Sequence, residues 1–194
     1  MNALPIMKPY IGGEWIESES QKFTTIYDPS TGKPIAQVPQ CTAAEVEKAI
    51  AAAKAAFPAW KNTPVRTRAN IMMKLRNLIE RDKEELTRMV ATENGKCWSE
   101  AAGDVAKALE MTELACSAPS LLMGESLMDT SSGYDTPLYR EPIGVFAGIA
   151  PWNFPAMIPV GWMAPLAIVC GNTFVLKPAS TTPMTCMKFA ELYK

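Results

Sequence analysis

Two short β-rich apolar runs, GVFAGI at 144–149 and NTFVLKP at 172–178, flank the longer apolar segment PAMIPVGWMAPLAIVCG at 155–171. Between Glu141 and Lys188 the only charged side chain is Lys177. Short continuous apolar runs of this kind are expected for strands buried on both faces. The segment between them reads as a helix ended by Gly171, bent or shortened by Pro159 and Pro165, which lack the N–H a helix interior needs. TPMTCMKFAELYK, from Thr182, begins another helix. Strand, helix, strand and incipient helix make a βαβ unit, so the two strands should run parallel and be joined by a right-handed crossover. The uncharged stretch from Pro142 to Leu176 is long enough for a bilayer. Asn153, Asn172 and the prolines at 151, 155, 159 and 165 interrupt every continuous window, so no membrane span is expected.

Upstream of this unit the pattern changes twice. Residues 8–40 alternate short extended runs with turn residues, Asp28-Pro29 and Thr31-Gly32 marking the reversal, and read as short strands. Thr42 and Glu45 form a capping box, after which Val46, Ile50, Ala53 and Phe57 recur at helical spacing to an end near Pro58. Thr63-Pro64 opens a second helix with Ile71, Leu75, Leu78 and Ile79 on one face. Asp82 with Glu85 caps a third, stopped by Gly95, and a fourth runs from near Ser99 to about Leu122 with Val105, Leu109, Thr112 and Cys116 as its stripe. These stripes are most simply core contacts. ESLMDT, a Ser-Ser-Gly turn and TPLYRE then read as a hairpin. The chain divides into a region of short strands and helices at 1–123, a hairpin at 124–142, and a βαβ unit at 143–194.

Composition excludes several classes of function. With 48% hydrophobic and 20% charged residues in 194, the chain has the balance of a folded, non-membrane protein. A net charge of −1, with no basic cluster, gives no footprint for nucleic acid. The N-terminal sequence has no apolar run followed by a small-residue cleavage site, so a cytoplasmic location is expected. Five cysteines, at 41, 97, 116, 170 and 186, form an odd set without C-x-x-C spacing, which argues for reduced thiols rather than a disulfide framework or a zinc site. There is no histidine, which removes Ser-His and Cys-His catalysis; no metal site is expected.

Ligands of open parallel sheets bind at the carboxyl ends of the strands. The first strand ends at Ile149 and empties into APWNFP; the second ends near Leu176 and empties into KPAS. If the strands are neighbours, roughly 4.8 Å apart, then Trp152, Asn153 and Lys177 converge on one crevice. There the Lys177 head can donate to ribose hydroxyls or phosphate while its stem crosses apolar surface. A plainer assignment fits the same residues: a solvated, snorkelling lysine, a core tryptophan, and an asparagine whose amide is satisfied within its own turn.

PWNFP, followed by GNTFVLKP, resembles the aldehyde dehydrogenase superfamily. The resemblance extends over essentially the whole chain through YIGGEW, DPSTGKPIAQVP, ENGKCWSEA and EPIGVFAGIAPWNFP. AGDVAKALEMTELACSAPSLLMGESL and FPAMIP with AIVCGNTF are most similar to the CoA-dependent methylmalonate-semialdehyde dehydrogenases. The resemblance implies an α/β fold: the N-terminal part of an aldehyde dehydrogenase, with a helical region and an oligomerisation-type hairpin leading into an incomplete Rossmann-like parallel sheet. It implies NAD or NADP as cofactor, a small-molecule aldehyde as substrate, CoA as a candidate acyl acceptor, and a homo-oligomer, dimer or tetramer. Asn153 matches the amide that holds the oxyanion of the thiohemiacetal, a neutral donor worth on the order of 3 kcal/mol to a transition state. Ile149, Ala150, Pro151 and Trp152 match the wall beside the nicotinamide half of the dinucleotide. Lys177, with Pro178, Ala179 and Ser180, matches the segment that meets the adenosine ribose.

Three departures bear on specificity. Ser180 stands where the family often has Glu, which repels a 2′-phosphate, so NADP use is opened. IPVGWMAP carries one residue more than the semialdehyde subfamily's usual run, and Trp152 stands where that subfamily tends to have Phe. The G-x-G-x-x-G fingerprint is absent from the βαβ unit, as is usual for this family. The family's nucleophilic cysteine lies in a later catalytic domain that these residues do not include, so the chain alone is expected to be inactive. The alternative is a non-catalytic truncated paralogue acting as an interaction or oligomerisation module.

Overall fold

The structure is a computed structural model and describes residues 3–194. Two small antiparallel ladders come first. β1 (Tyr10–Ile11) pairs with β2 (Glu14–Trp15), and β3 (Phe23–Asp28) pairs with β4 (Lys33–Pro39). Asp28 shapes the β3–β4 reversal by accepting from the Ser30 N–H at 2.8 Å and the Thr31 hydroxyl at 3.0 Å, with Gly32 at φ 67° closing the turn.

Five helices follow: α1 (Ala43–Lys61), α2 (Val65–Arg81), α3 (Lys83–Asn94), α4 (Trp98–Cys116) and the single turn α5 (Ala118–Leu121). The capping box is present in both directions, Thr42 Oγ1 accepting from Glu45 N and Glu45 Oε2 from Thr42 N. α1 runs three residues past Pro58, because a proline so near the C-terminus removes one bond from a turn that was already fraying. Its apolar stripe is not core: Val46 and Ile50 are each 46% exposed, and the helix lies over β1 and the later parallel strands. The core is built instead by Ala69, Met72, Leu75 and Ile79 of α2, Leu86 and Val90 of α3, and Ala101, Val105, Ala108 and Leu109 of α4. Ile71 is exposed, so the buried face of α2 is rotated from the expected one. The Asp82 carboxylate is taken by Arg81 and caps no helix N–H, and the fourth helix breaks at Ser117 rather than running on to Leu122. Gly95, at φ 74°, ends α3 with its N–H on the Ala91 carbonyl, the left-handed cap that a side chain disfavours.

β5 (Ser126–Ser131) and β6 (Tyr134–Pro137) form an exposed hairpin. β7 (Val145–Ile149) and β8 (Thr173–Lys177) pair in parallel, joined by a π-helical stretch, Met157–Met163, that continues into α6 (Ala164–Val169); α7 (Met184–Tyr193) follows. Pro159 has no N–H for the Pro155 carbonyl, which accepts the Cys186 thiol at 3.4 Å, and the helix widens at this point. Gly161 lets the wide turn lie against α4, since a Cβ there would come within 2.9 Å of Ala108 Cα. Contrary to the expectation of burial on both faces, β7 is largely open, with Ile149 76% exposed, and β8 is half-buried. α1 covers one face of this ladder while its outer edges stay uncovered. Among the described residues no helix is long and apolar enough to cross a membrane.

Candidate functional site

Parallel pairing brings the two strand ends together. Ile149 is the register partner of Lys177, and the Ala150 N–H donates to the Lys177 carbonyl at 3.1 Å. The APWNFP and KPAS loops therefore leave from adjacent points on one sheet edge. Ala150 and Ala179 are buried and anchor the bases of the loops, Pro178 is half-buried, and Ile149, Pro151, Asn153, Lys177 and Ser180 face outward. Trp152 is 63% exposed, so it is not a core residue. Among the described residues the Asn153 amide has no hydrogen-bond partner and Lys177 no carboxylate, which leaves both free to meet a ligand. The amide donor and the ammonium thus leave from one sheet edge, while Trp152 lines a cleft with Tyr27, Pro29, Asn94 and Thr182.

The loop that carries Asn153 is irregular, and the helical region fixes it from several directions. The Trp152 carbonyl accepts from Asn94 Nδ2 at 2.9 Å and from Thr182 Oγ1 at 3.4 Å. Asp104, wholly buried in α4, accepts from the Met157 N–H at 2.7 Å and pairs with Lys96 Nζ at 3.1 Å. Lys96 in turn lies 3.9 Å from the centroid of the Phe154 ring. The buried Glu93 carboxylate accepts from the N–H groups of Met184 at 2.7 Å and Thr185 at 2.9 Å, capping α7 from the end of α3. Glu93, Asn94, Lys96 and Asp104 fall in ENGKCWSEA and AGDVAKALE, motifs that carry the family resemblance, but nothing in the sequence assigned them this role. Asp104 could have been found: it shares the Ala101, Val105 and Ala108 face of α4, where a carboxylate is out of place without a partner.

Burial pushes Glu93 from the ordinary 4.5 up to about 7, against the two N–H donors that favour its ionised form and helped by the nearby Asp104 charge. The folded chain thus holds this proton more tightly than the unfolded one does. The stabilisation is complete below about pH 4.5 and is lost as pH rises through about 7, at most about 3 kcal/mol. Urea midpoints measured across that window should fall with rising pH from this group, and Glu93→Gln should flatten the slope. An unchanged slope in the variant would assign it elsewhere.

Four of the five thiols are made poorer nucleophiles by burial. Burial pushes Cys41, Cys116 and Cys170 above the ordinary range and Cys186 far above it. Cys97 is exposed, with its sulfur 3.2 Å from the Ser99 hydroxyl.

A fold that delivers an asparagine and a lysine to the carboxyl edge of a parallel pair, without a glycine fingerprint, has direct counterparts among known proteins. The chain belongs to the aldehyde dehydrogenase family, whose profile matches residues 15–194. Malonate-semialdehyde dehydrogenase 2 of Bacillus cereus is 50% identical over 187 residues, 96% of this chain and 38% of that protein. Malonate-semialdehyde dehydrogenase 2 of Geobacillus kaustophilus is 49% identical over 188 residues, 97% of this chain and 39% of that protein. The crystal structure of methylmalonate-semialdehyde dehydrogenase from Oceanimonas doudoroffii superposes with a TM-score of 0.94 at 39% identity, covering 98% of this chain and 38% of that one. A protein of the methylmalonate-semialdehyde dehydrogenase type from Sinorhizobium meliloti 1021, complexed with NAD, gives 0.95 at 35% identity, covering 100% and 39%. The chain spans about 38% of the length of the curated relatives it matches.

Proposed function

We propose that this chain supplies the oxyanion donor and part of the dinucleotide cleft of an NAD(P)-dependent dehydrogenase acting on malonate semialdehyde, methylmalonate semialdehyde or a related semialdehyde. The observation that carries the reading is the Ile149–Lys177 pairing, which sets the PWNF and KPAS loops side by side with Asn153 and Lys177 unengaged. The relatives' names support the substrate class, and the NAD complex of the Sinorhizobium meliloti protein supports the cofactor. A dinucleotide held at this edge by Lys177 and the APWNFP loop would supply the hydride acceptor. Asn153 donates its amide N–H to the substrate oxygen as negative charge develops there. Trp152, Ala150 and Pro151 form an apolar wall that excludes water from the reacting carbon. Lys177 orients the cofactor through its ribose, while the nucleophilic sulfur comes from beyond these residues and the acyl group leaves to water or CoA.

The test is aldehyde-dependent reduction of NAD and NADP by the full-length protein carrying these residues, with malonate and methylmalonate semialdehydes, with and without CoA. Activity confined to a non-carboxylated aldehyde would overturn the substrate class. Residues 1–194 alone should give no turnover above blank, for want of an activated thiol; turnover abolished by replacing one of the five cysteines would overturn that. Lys177→Ala should weaken dinucleotide binding by roughly one to two decades, the loss of a charge-assisted hydrogen bond. Ser180→Glu should shift preference toward NAD by repelling a 2′-phosphate. Isothermal titration with both dinucleotides reads the two effects; unchanged affinity in Lys177→Ala returns that lysine to a solvated role.

A second reading, a non-catalytic association module, is favoured by the hairpin, where Leu127, Met128, Tyr134 and nearby Tyr139 are all exposed. It is separated from the first by the aldehyde assay, since a pure association module forms oligomers without turnover. In the first reading the protein partner is a second copy of the protein; in the second it is a full-length subunit.

A further inference from the structure

We infer that Lys96 and Asp104 are positioning residues that set the Asn153 amide for reaction, an inference that rests on the function proposed above. The Asn153 side chain holds no hydrogen bond of its own among the described residues, so its direction is inherited from the backbone on either side of it. On the N-terminal side, Trp152 is tied through its carbonyl to Asn94 and Thr182. On the C-terminal side the restraint is the Lys96–Asp104 pair: the Lys96 ammonium caps the Phe154 ring at 3.9 Å, and Asp104 holds the Met157 N–H at 2.7 Å. Asp104 is the link between the two contacts, with one oxygen on Met157 and the other on Lys96 at 3.1 Å. Its side chain has no exposed surface and that of Lys96 only 14%, so both contacts are made with little competition from water.

A core that merely needed filling at this point would take an apolar residue at position 104, as at Ala101, Val105 and Ala108 on the same face. The charged pair instead fixes direction, because a ring under a cation and an N–H on a carboxylate oxygen both restrict angle as well as distance. An oxyanion donor requires this: it is useful only when held within about 0.5 Å of its productive position, and a displacement of about 1 Å can cost a hundredfold in rate.

The experiment is a double-mutant cycle in the full-length protein, scoring kcat, KM and dinucleotide affinity for Lys96→Met, Asp104→Asn, Lys96→Arg, Asn153→Ala and the Lys96→Met/Asn153→Ala pair. Lys96→Met and Asp104→Asn should each lower kcat by roughly tenfold to a hundredfold, with KM and dinucleotide affinity within about twofold. Lys96→Arg, which keeps a cation for the ring, should recover most of the rate. In the Asn153→Ala background Lys96→Met should cost less than about twofold, since a residue acting only through Asn153 has nothing left to act through. Equal costs in the two backgrounds, or a joint fall of kcat and dinucleotide affinity, would overturn the inference and leave the pair a structural one. If instead Asn153→Ala leaves kcat unchanged, or the unsubstituted protein oxidises no aldehyde, the proposed function fails. The restraint itself is then decided by hydrogen exchange: faster exchange in peptides covering 150–157 for Lys96→Met and Asp104→Asn, with α2 unchanged, supports it, and unaltered exchange there ends it.

Discussion

Asn153→Ala is expected to lower kcat of the full-length protein by roughly a hundredfold to a thousandfold, the loss of about 3 to 4 kcal/mol of transition-state stabilisation. The amide is exposed and holds no hydrogen bond among the described residues, while Trp152, Phe154 and Met157 beside it are engaged, so its removal breaks no such bond. Stability should stay close to that of the unsubstituted protein. KM for the aldehyde should move little, because a ground-state carbonyl carries far less charge than the oxyanion it becomes. Asn153→Asp should be slower still, since a carboxylate repels the charge that an amide attracts. A kcat within about threefold of the parent for Asn153→Ala, with dinucleotide binding intact, would remove the residue from the reacting centre.

Much of this site was legible because its two halves are local. Gly-punctuated apolar runs mark β7 and β8, and once these are read as parallel neighbours the departure of the APWNFP and KPAS loops from one sheet edge follows from strand direction alone. The Thr42–Glu45 capping box is equally local, four consecutive residues closing on themselves, and it is present in the structure. The restraints behind the site were not legible, because each partner lies far off in sequence. Asn94 meets Trp152 across 58 positions and Glu93 meets Thr185 across 92, and no spacing rule couples such residues before the fold is known. Helical periodicity had a related failure in α1 and α2. It shows which residues share a face but not what lies opposite, so Val46, Ile50 and Ile71 carried a core-like pattern to the surface.

Arg68→Ala is expected to destabilise the chain by about 3 to 4 kcal/mol. Arg68 stands in the first turn of α2, only 5% exposed, and no carboxylate is paired with it among the described residues. Its guanidinium is satisfied by carbonyls instead: Nε donates to Val169 at 2.8 Å, and the same head reaches Thr63 and, at 3.4 Å, Lys61. Val169 and Lys61 are the last residues of α6 and α1, whose carbonyls a helix end leaves without an internal partner and toward which its dipole draws a cation, and Thr63 lies in the α1–α2 connection. Trp60 adds a parallel tie, its indole N–H on the Ile168 carbonyl at 2.8 Å, so α1 and α6 are joined at adjacent points. Burial lowers the guanidinium's proton affinity, though an arginine stays charged at any ordinary pH, and removing it strands several acceptors away from water at once. A domain of ordinary stability, about 5 to 15 kcal/mol, would survive the loss with its urea midpoint sharply reduced. Arg68→Lys, which keeps the charge but not the planar fork, should lose roughly half as much. Arg68→Met separates the causes: it refills the volume without a donor, so a midpoint as low as that of Arg68→Ala assigns the loss to the stranded carbonyls, and a midpoint equal to the parent's would show that these hydrogen bonds add nothing to the fold.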